Sequence, residues 1–531
     1  MTRVKPGQRQ RTRTPKVTTG CGTCKSWSPN PVRDFVLFRQ LTGAVRRVKC
    51  DEARPACLRC SSTGRKCDGY QPNPPSIPST SPQSTTSPSS VVSTYTTSTE
   101  ARSFQFFIEK TLANFQTFFP DELWSTKVLQ VAQSAGCIKY SLVALSNYHE
   151  LYLTHQQWLQ LESTHALKSY NIAIRELLTP IPDDLSQGHI PILSCLIFIS
   201  IELLQGKTDS AIVLFKYGCR MIQQFRKSLS TAREAGERSC SDVEDTLGLA
   251  KACFRRIAVQ ILTLMGDIDP DLWEAFHGTF DKSSVRYEIP FTSLADAREA
   301  LLELLVEQTS PGLKGKSIHE ILAHSAKLEQ WGCSYDALLA EYDRVGKISS
   351  AAERRAIALL QLHRKYLEIN VSKYVYGQGD PCFWDRFTAE FNEIVDYAAT
   401  AAGLDDNYAH RNWSTDSTPT AYFHLDLGFS SVLVAVIARC RDPFIRRRAI
   451  AVMLADRVQE GAFNGSQSAR VAAKVMELEE ARSGDVRCSS DIPEEARVRT
   501  IRVQLLRSER PKTIVLFGFD QGFCEEEFGL T

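Results

Sequence analysis

The stretches GCGTCK at residues 20–25 and RRVKCDEARPACLRCSSTGRKCDGY at 46–70 place six cysteines in the order Cys21-x2-Cys24-x25-Cys50-x6-Cys57-x2-Cys60-x6-Cys67. Each C-x2-C pair sets two thiolates on a tight turn, the geometry of a tetrahedral zinc–sulfur site. Six thiolates cannot fill two separate four-sulfur sites. They fill two if two sulfurs bridge, so that each zinc receives two terminal and two shared ligands. The basic neighbours Lys25, Arg46, Arg47, Lys49, Arg59, Arg65 and Lys66 lower thiolate pKa and offset the negative charge of such a cluster. The same residues also admit one mononuclear zinc with two spare thiols. With thiolates in every ligand position, zinc here would be structural rather than catalytic.

Outward from this stretch the charge is uneven. Residues 1–70 carry 16 Lys and Arg against 4 Asp and Glu, a balance of +12, and the remainder carries 47 against 57, or −10, which gives the net +2. A basic head on an acidic body points to a polyanionic partner for the head. Of the sixteen cysteines, the ten outside this stretch are scattered singly through mostly apolar sequence and read as small core residues. The apolar runs near Leu193–Leu204 and Val432–Ala438 are short for a membrane span. The basic start MTRVKPGQRQRTRTPK has no apolar region of the kind a secretory signal needs. These features lead us to expect a soluble, intracellular chain with no membrane partner.

Four regions follow. Residues 1–19 form a basic, disordered arm, and 20–70 hold the cysteines. Residues 71–102 are nearly all Pro, Ser and Thr and read as a disordered linker without heptads. Residues 103–531 read as a large all-α domain, so the fold class is mainly α. Leu193, Leu196, Ile197, Ile201 and Leu204 share a helical face closed by Gly206, and a second helix opens at Asp209 with the stripe Ala211, Leu214, Phe215, Gly218 and Ile222. Asp442 and Pro443 start another helix, which buries Ile445, Ala449, Val452 and Met453 and is expected to turn Arg446, Arg447 and Arg448 to solvent.

The cysteine stretch resembles the fungal binuclear zinc-cluster (Zn₂Cys₆) transcription factors. The body resembles the fungal-specific regulatory domain found with them, through VALSNYHELY at 143–152, CLIFISIELLQG at 195–206 and ARCRDPFIRRRAIAVM at 438–453. The resemblance implies two structural zinc ions held by Cys21, Cys24, Cys50, Cys57, Cys60 and Cys67, with Cys21 and Cys57 bridging. It implies a nuclear protein that regulates RNA polymerase II genes by reading CGG-type triplets in double-stranded DNA, with co-regulators or the transcription machinery as further partners. Arg46, Arg47 and Lys49 would meet guanine O6 and N7 in the major groove. Lys25, Arg59, Arg65 and Lys66 would contact phosphates. Without heptads after Tyr70, any homodimer contact is expected from the helical body.

One departure stands out. The family pattern has six residues between the second and third cysteines, and here there are 25. The surplus, Ser26–Ala44 (SWSPNPVRDFVLFRQLTGA), is 19 residues, or 3 × 19 = 57 nucleotides. Pro29 and Pro31 cannot sit inside the short helix this segment forms in the family. If Ser26 is encoded AGT and Ala44-Val45 reads GCA-GTN, splicing from that GT through that AG leaves an isoleucine codon and restores CGTCKIRRVKC. The insert therefore reads as a retained intron, with a natural insertion as the alternative.

A rival enzyme reading finds little support. Gly315-Lys316-Ser317 imitates a P-loop ending, but position 310 is Ser310 rather than glycine, and His319-Glu320 is followed by His324, one residue beyond a helical zinc-protease pair. No enzyme activity is expected. A third reading is an interaction or regulatory protein whose cluster is disrupted by the insert and no longer reads DNA specifically.

Overall fold

A computed structural model describes residues 97–529, apart from 155–162, 180–184, 236–240, 266–269, 281–289, 309–312, 314, 347–349, 378–379, 381, 406–407, 409–419, 507–511 and 521. In chain order the helices are α1 (Ser98–Phe106), α2 (Leu112–Phe115), α3 (Val128–Ser134), α4 (Gly136–Thr154), α5 (Thr164–Leu177), α6 (His189–Leu204), α7 (Thr208–Glu234) and α8 (Ser241–Met265). Then come α9 (Pro270–Thr279), α10 (Leu294–Gln308), α11 (Ile318–Arg344), α12 (Ala351–Tyr376), α13 (Thr388–Ala402), α14 (Ser430–Arg439), α15 (Pro443–Ala455) and α16 (Gly465–Glu480). The mainly helical expectation holds. Two small three-stranded sheets accompany the helices: β1 (Ala421–His424), β2 (Arg457–Glu460) and β3 (Phe463–Asn464), and the meander β4 (Thr500–Leu506), β5 (Lys512–Phe519) and β6 (Gly522–Gly529).

Helix starts where the local chemistry allows it. The linker expected to run through residue 102 ends earlier, because the Thr97 hydroxyl accepts from Glu100 N at 3.2 Å and caps α1. The segment Leu185–Leu204 is 20 residues long and apolar enough to cross a membrane by composition. Its side chains are nonetheless buried from Ile192 to Leu204, enclosed by α4, α7 and α8, as in the core helix of a globular body. Gly206, at φ 68°, stops α6: Gly206 N and Lys207 N donate to Leu203 O and Glu202 O at 2.9 and 2.8 Å, and the chain reverses into α7. The stripe of α7 is buried as expected at Ala211, Leu214, Phe215, Gly218 and Ile222. Asp442 caps α15 by accepting from Phe444 N and Ile445 N at 2.9 and 3.0 Å, with Pro443 in the first turn.

Arg446 corrects the sequence reading. Arg447 is half exposed, but Arg446 is fully buried and bonds Glu479 of α16, while its Nε donates to Cys440 O at 2.6 Å. An arginine in an RRR run reads as a surface residue unless the acceptor 33 positions later is known.

The first sheet joins early and late parts of the chain. β1 runs parallel to β2, and β3 returns antiparallel beside β2. Phe423 N donates to Asn114 Oδ1 at 3.0 Å, Tyr152 Oη donates to Arg457 O at 2.9 Å, and Gln459 Nε2 donates to Leu203 O at 3.3 Å. Gln260 of α8 donates to Leu425 O and Asp426 O and accepts from Ala462 N. At Gly461, φ 51°, an added Cβ would lie 1.7 Å from Gln260 Oε1, so this turn needs glycine for both its dihedral and its space.

Candidate functional site

All thirteen residues named from the sequence, the six cysteines Cys21, Cys24, Cys50, Cys57, Cys60 and Cys67 and the basic Lys25, Arg46, Arg47, Lys49, Arg59, Arg65 and Lys66, lie outside the described residues. The described residues supply no competing metal site, since no group of three or more His, Cys, Asp or Glu among them could hold an ion. Cys137, Cys195, Cys219, Cys253 and Cys440 are buried, and burial pushes the thiols of Cys219, Cys253 and Cys440 up to about 12. They are protonated core residues and poor ligands. Cys333 and Cys488 are exposed, against the expectation of burial.

The enzyme-like motifs resolve into structural parts. Ser317 caps α11: its Oγ accepts from Glu320 N at 3.3 Å, and Ser317 N donates to Glu320 Oε2 at 2.9 Å, a reciprocal capping box. His324 is buried, with Nδ1 at 3.1 Å from Glu307 Oε2.

Two features of the body were not legible in the sequence. The first is a buried ionic cluster that ties α8 and α10 to the loop after β1. Arg256 bonds Asp121 at 2.7 Å and lies 3.6 Å from Asp426, which also bonds Arg298. Burial alone would raise the Asp426 carboxyl, but Arg298 and Arg256 hold it below its usual value.

The second is a cavity of about 210 Å³ between α8, α10, α12, α14 and the first sheet. Val259, Leu262, Leu305, Leu427, Val432 and Phe463 give it apolar walls. Glu460 lines it with a carboxylate that accepts from Phe429 N and Ser430 N at 3.1 and 2.9 Å, and burial raises this carboxyl to about 7. His363, 3% exposed, places Nε2 at 2.9 Å from Gly428 O, and its Nδ1 has no partner. Arg439 donates from Nη1 to Tyr366 Oη at 2.9 Å and to Asn370 Oδ1 at 3.0 Å, and stands over the Trp384 ring at 4.6 Å. In the sequence only Arg439 stands out, within the ARCRDPF motif, while His363 and Glu460 carry no local signal.

The buried histidines set an acid limit to stability. Burial lowers His149 to about 3 and His363 and His424 to about 4. A folded pKa below the unfolded value of about 6.5 gives stability that is fully present above pH 6.5 and is lost as pH falls towards 4. The raised Glu460 acts oppositely, losing stability as pH rises from 4.5 to about 7. Three histidines, each lowered by more than two units, outweigh one carboxyl raised by about as much as one of them. The melting temperature of the full chain should drop steeply between pH 6.5 and 5, and His363→Gln should make that drop shallower. A flat profile over this window would contradict the assignment.

Comparison with known proteins gives two domain families. Residues 45–76 match the Fungal Zn(2)-Cys(6) binuclear cluster domain, and residues 102–256 match the Fungal specific transcription factor domain. The first match begins at Val45, immediately after the insert. It covers Cys50, Cys57, Cys60 and Cys67 and leaves out Cys21 and Cys24. The chain is similar to an aspercryptin biosynthesis cluster-specific transcription regulator of Emericella nidulans, 28% identical over 411 residues, covering 67% of this chain and 62% of the relative. It is 27% identical over 180 residues to a transcriptional regulatory protein of Schizosaccharomyces pombe, covering 32% of this chain and 34% of that one. A transcription regulator of Purpureocillium lilacinum shares 55% identity over 31 residues, or 6% of this chain and 7% of that one. The chain thus spans less than two thirds of the length of these curated relatives. No solved structure matches it.

Proposed function

Because the chain joins a fungal Zn(2)-Cys(6) binuclear cluster domain to a fungal specific transcription factor domain, we propose that it is a DNA-binding transcription regulator acting in the nucleus on RNA polymerase II genes. The observation that carries this reading is the six-cysteine spacing with basic residues interleaved, whose second half coincides with the matched cluster domain. Cys21, Cys24, Cys50, Cys57, Cys60 and Cys67 would hold two zinc ions, and bound zinc supplies the cross-links that fix so small a domain. Arg46, Arg47 and Lys49 precede Cys50 and would read guanines of a CGG-type triplet, at roughly 1–3 kcal/mol of discrimination per good pair. Lys25, Arg59, Arg65 and Lys66 would position the domain on phosphates. The body would provide any homodimer contact and the surface for co-regulators. Nothing in this reading requires catalysis.

The test is zinc content of the full chain together with a salt-resolved titration against CGG-containing and scrambled duplexes. Two zinc ions per chain with preferential binding to CGG supports the reading, and a single zinc ion would sink the bridged cluster. Cys57→Ser should release both metals, whereas Cys67→Ser should leave one partly held, because a bridging sulfur serves both ions. A second reading, a regulatory protein that no longer reads DNA specifically, is favoured by the match starting only at Val45. Equal affinity for CGG and scrambled DNA, falling steeply with salt, would support it.

A further inference from the structure

Arg439 brings the one guanidinium to the wall of the cavity among the described residues. Its Nη1 donates to Tyr366 Oη and Asn370 Oδ1, both neutral, and its Cζ stands 4.6 Å from the centre of the Trp384 ring. These contacts fix the side chain and leave Nε and Nη2 without a hydrogen bond among the described residues. That pair of nitrogens is an edge of the guanidinium fork that fits a carboxylate in bidentate fashion. Neither atom is sealed from water, whereas His363 Nδ1 is. The carboxylate of Glu460, also on the wall, does not neutralise the charge. It accepts from the Phe429 and Ser430 amides at the opposite end of α14, and Ser430 lies nine residues before Arg439, about 13 Å along the helix.

The rest of the lining is mixed. Tyr374 Oη, Ser431 Oγ and Gln308 Oε1 make no hydrogen bond among the described residues and are open to water as well. The Thr263 hydroxyl donates to Val259 O and can still accept. Tyr374 stands close enough to Arg439 for that charge to oppose the rise that burial gives its phenol. Val259, Leu262, Leu305 and Val432 lie among these groups. A molecule that displaces water from such a space must bring hydrogen-bonding groups of its own. With no second Lys or Arg on the wall among the described residues, the site matches a single negative charge, which favours a carboxylate over a phosphate dianion. An apolar cavity of ~150 Å³ takes benzene, so about 210 Å³ takes roughly eight or nine non-hydrogen atoms.

We propose that this cavity binds a short polyhydroxylated carboxylic acid, with its carboxylate on the free Nε–Nη2 edge of Arg439 and its hydroxyls bonded to Tyr374, Ser431 and Gln308. The charge-assisted pair anchors the ligand. The hydroxyls select it, because an unsubstituted acid would desolvate the polar wall without pairing it. The site lies wholly in the helical body, so the proposal does not depend on zinc or DNA binding.

The experiment is calorimetric titration of the full chain with threonate, butyrate and threitol, repeated on Arg439→Gln and Tyr374→Phe. The three compounds share one carbon count and differ in charge and hydroxyls. Threonate should bind saturably, one per chain, with a dissociation constant of about 0.1–5 mM and a rise in melting temperature. Butyrate and threitol should each bind about tenfold more weakly or worse. Arg439→Gln should reduce threonate to the level of threitol while keeping its fold, as read from an unchanged far-ultraviolet spectrum. Tyr374→Phe should weaken threonate about three- to tenfold and leave butyrate unchanged. Should Arg439→Gln fail to fold, the comparison of the three compounds on the native chain tests the same contacts. No saturable binding of threonate up to about 10 mM, equal binding of threonate and butyrate, or threonate binding unaltered in Arg439→Gln would overturn the proposal and leave Arg439 as the basic end charge of α14.

Discussion

Replacing Ser26–Val45 by a single isoleucine is expected to raise discrimination between CGG-containing and scrambled duplexes by about 10²–10⁴-fold while changing zinc affinity far less. The two effects separate because they depend on different physics. Lengthening the loop between Cys24 and Cys50 from 6 to 25 residues costs only about 1.3 kcal/mol of closure entropy on the (3/2)RT ln n scaling. Structural zinc contributes roughly 10–16 kcal/mol in finger peptides, so the proposed metal binding should survive the longer loop. In the proposed reading, base contacts by Arg46, Arg47 and Lys49 would need a continuous helix from Cys24, with which Pro29 and Pro31 are incompatible. Losing two guanine contacts at roughly 1–3 kcal/mol each accounts for the expected range. The +12 head should keep its non-specific, salt-sensitive binding in both forms. Transcripts should mostly lack the 57 nucleotides (3 × 19 codons). Equal discrimination by the two forms would make the segment a tolerated natural loop.

Glu479→Ala is expected to destabilise the helical body by about 3–5 kcal/mol, enough to lower its urea midpoint markedly. Glu479 and Arg446 are both fully buried, and the same carboxylate accepts from Arg441 Nη2 at 3.3 Å and from Val498 N at 2.7 Å. Removing it strands two guanidinium groups and one backbone donor away from water. The cluster fastens α16 to the turn between α14 and α15 and to the chain entering β4, so its loss should also loosen the small core of Val471, Val475, Val498, Val515 and Phe517. Glu479→Gln keeps the shape and the bond to Val498 N but not the charge, and should fall between wild type and alanine. A change below about 1 kcal/mol for Glu479→Ala would mean that water reaches the cluster.

Much of the helical body was legible because its signals are local. Gly206 ends α6 and Asp442-Pro443 starts α15, since a left-handed stop and an N-terminal cap each need only adjacent residues. The stripe of α7 follows from the 3.6-residue period alone. The first sheet left no comparable mark. Its strands are two to four residues long, and β1 pairs in parallel with a partner 36 positions away, Ala421 with Arg457. So short a strand carries no alternation to read, and its pairing is decided by what α2, α4 and α8 offer around it.

The sequence by itself determined the mainly helical class of the body, because helical period is a property of neighbouring residues, and the proposed zinc-ligand set and its basic neighbours rest on the same kind of local reading. Only the tertiary structure decided that Arg446 is an interior ion while Arg447 is half exposed, that Asp121, Arg256, Arg298 and Asp426 share one buried cluster, and that His363 and Arg439 face the same cavity. A charge is buried or solvated according to the partner that arrives from elsewhere in the chain. Arg446 and Glu479 are separated by 33 positions, and Arg256 and Asp121 by 135, and no local pattern encodes a meeting at that distance.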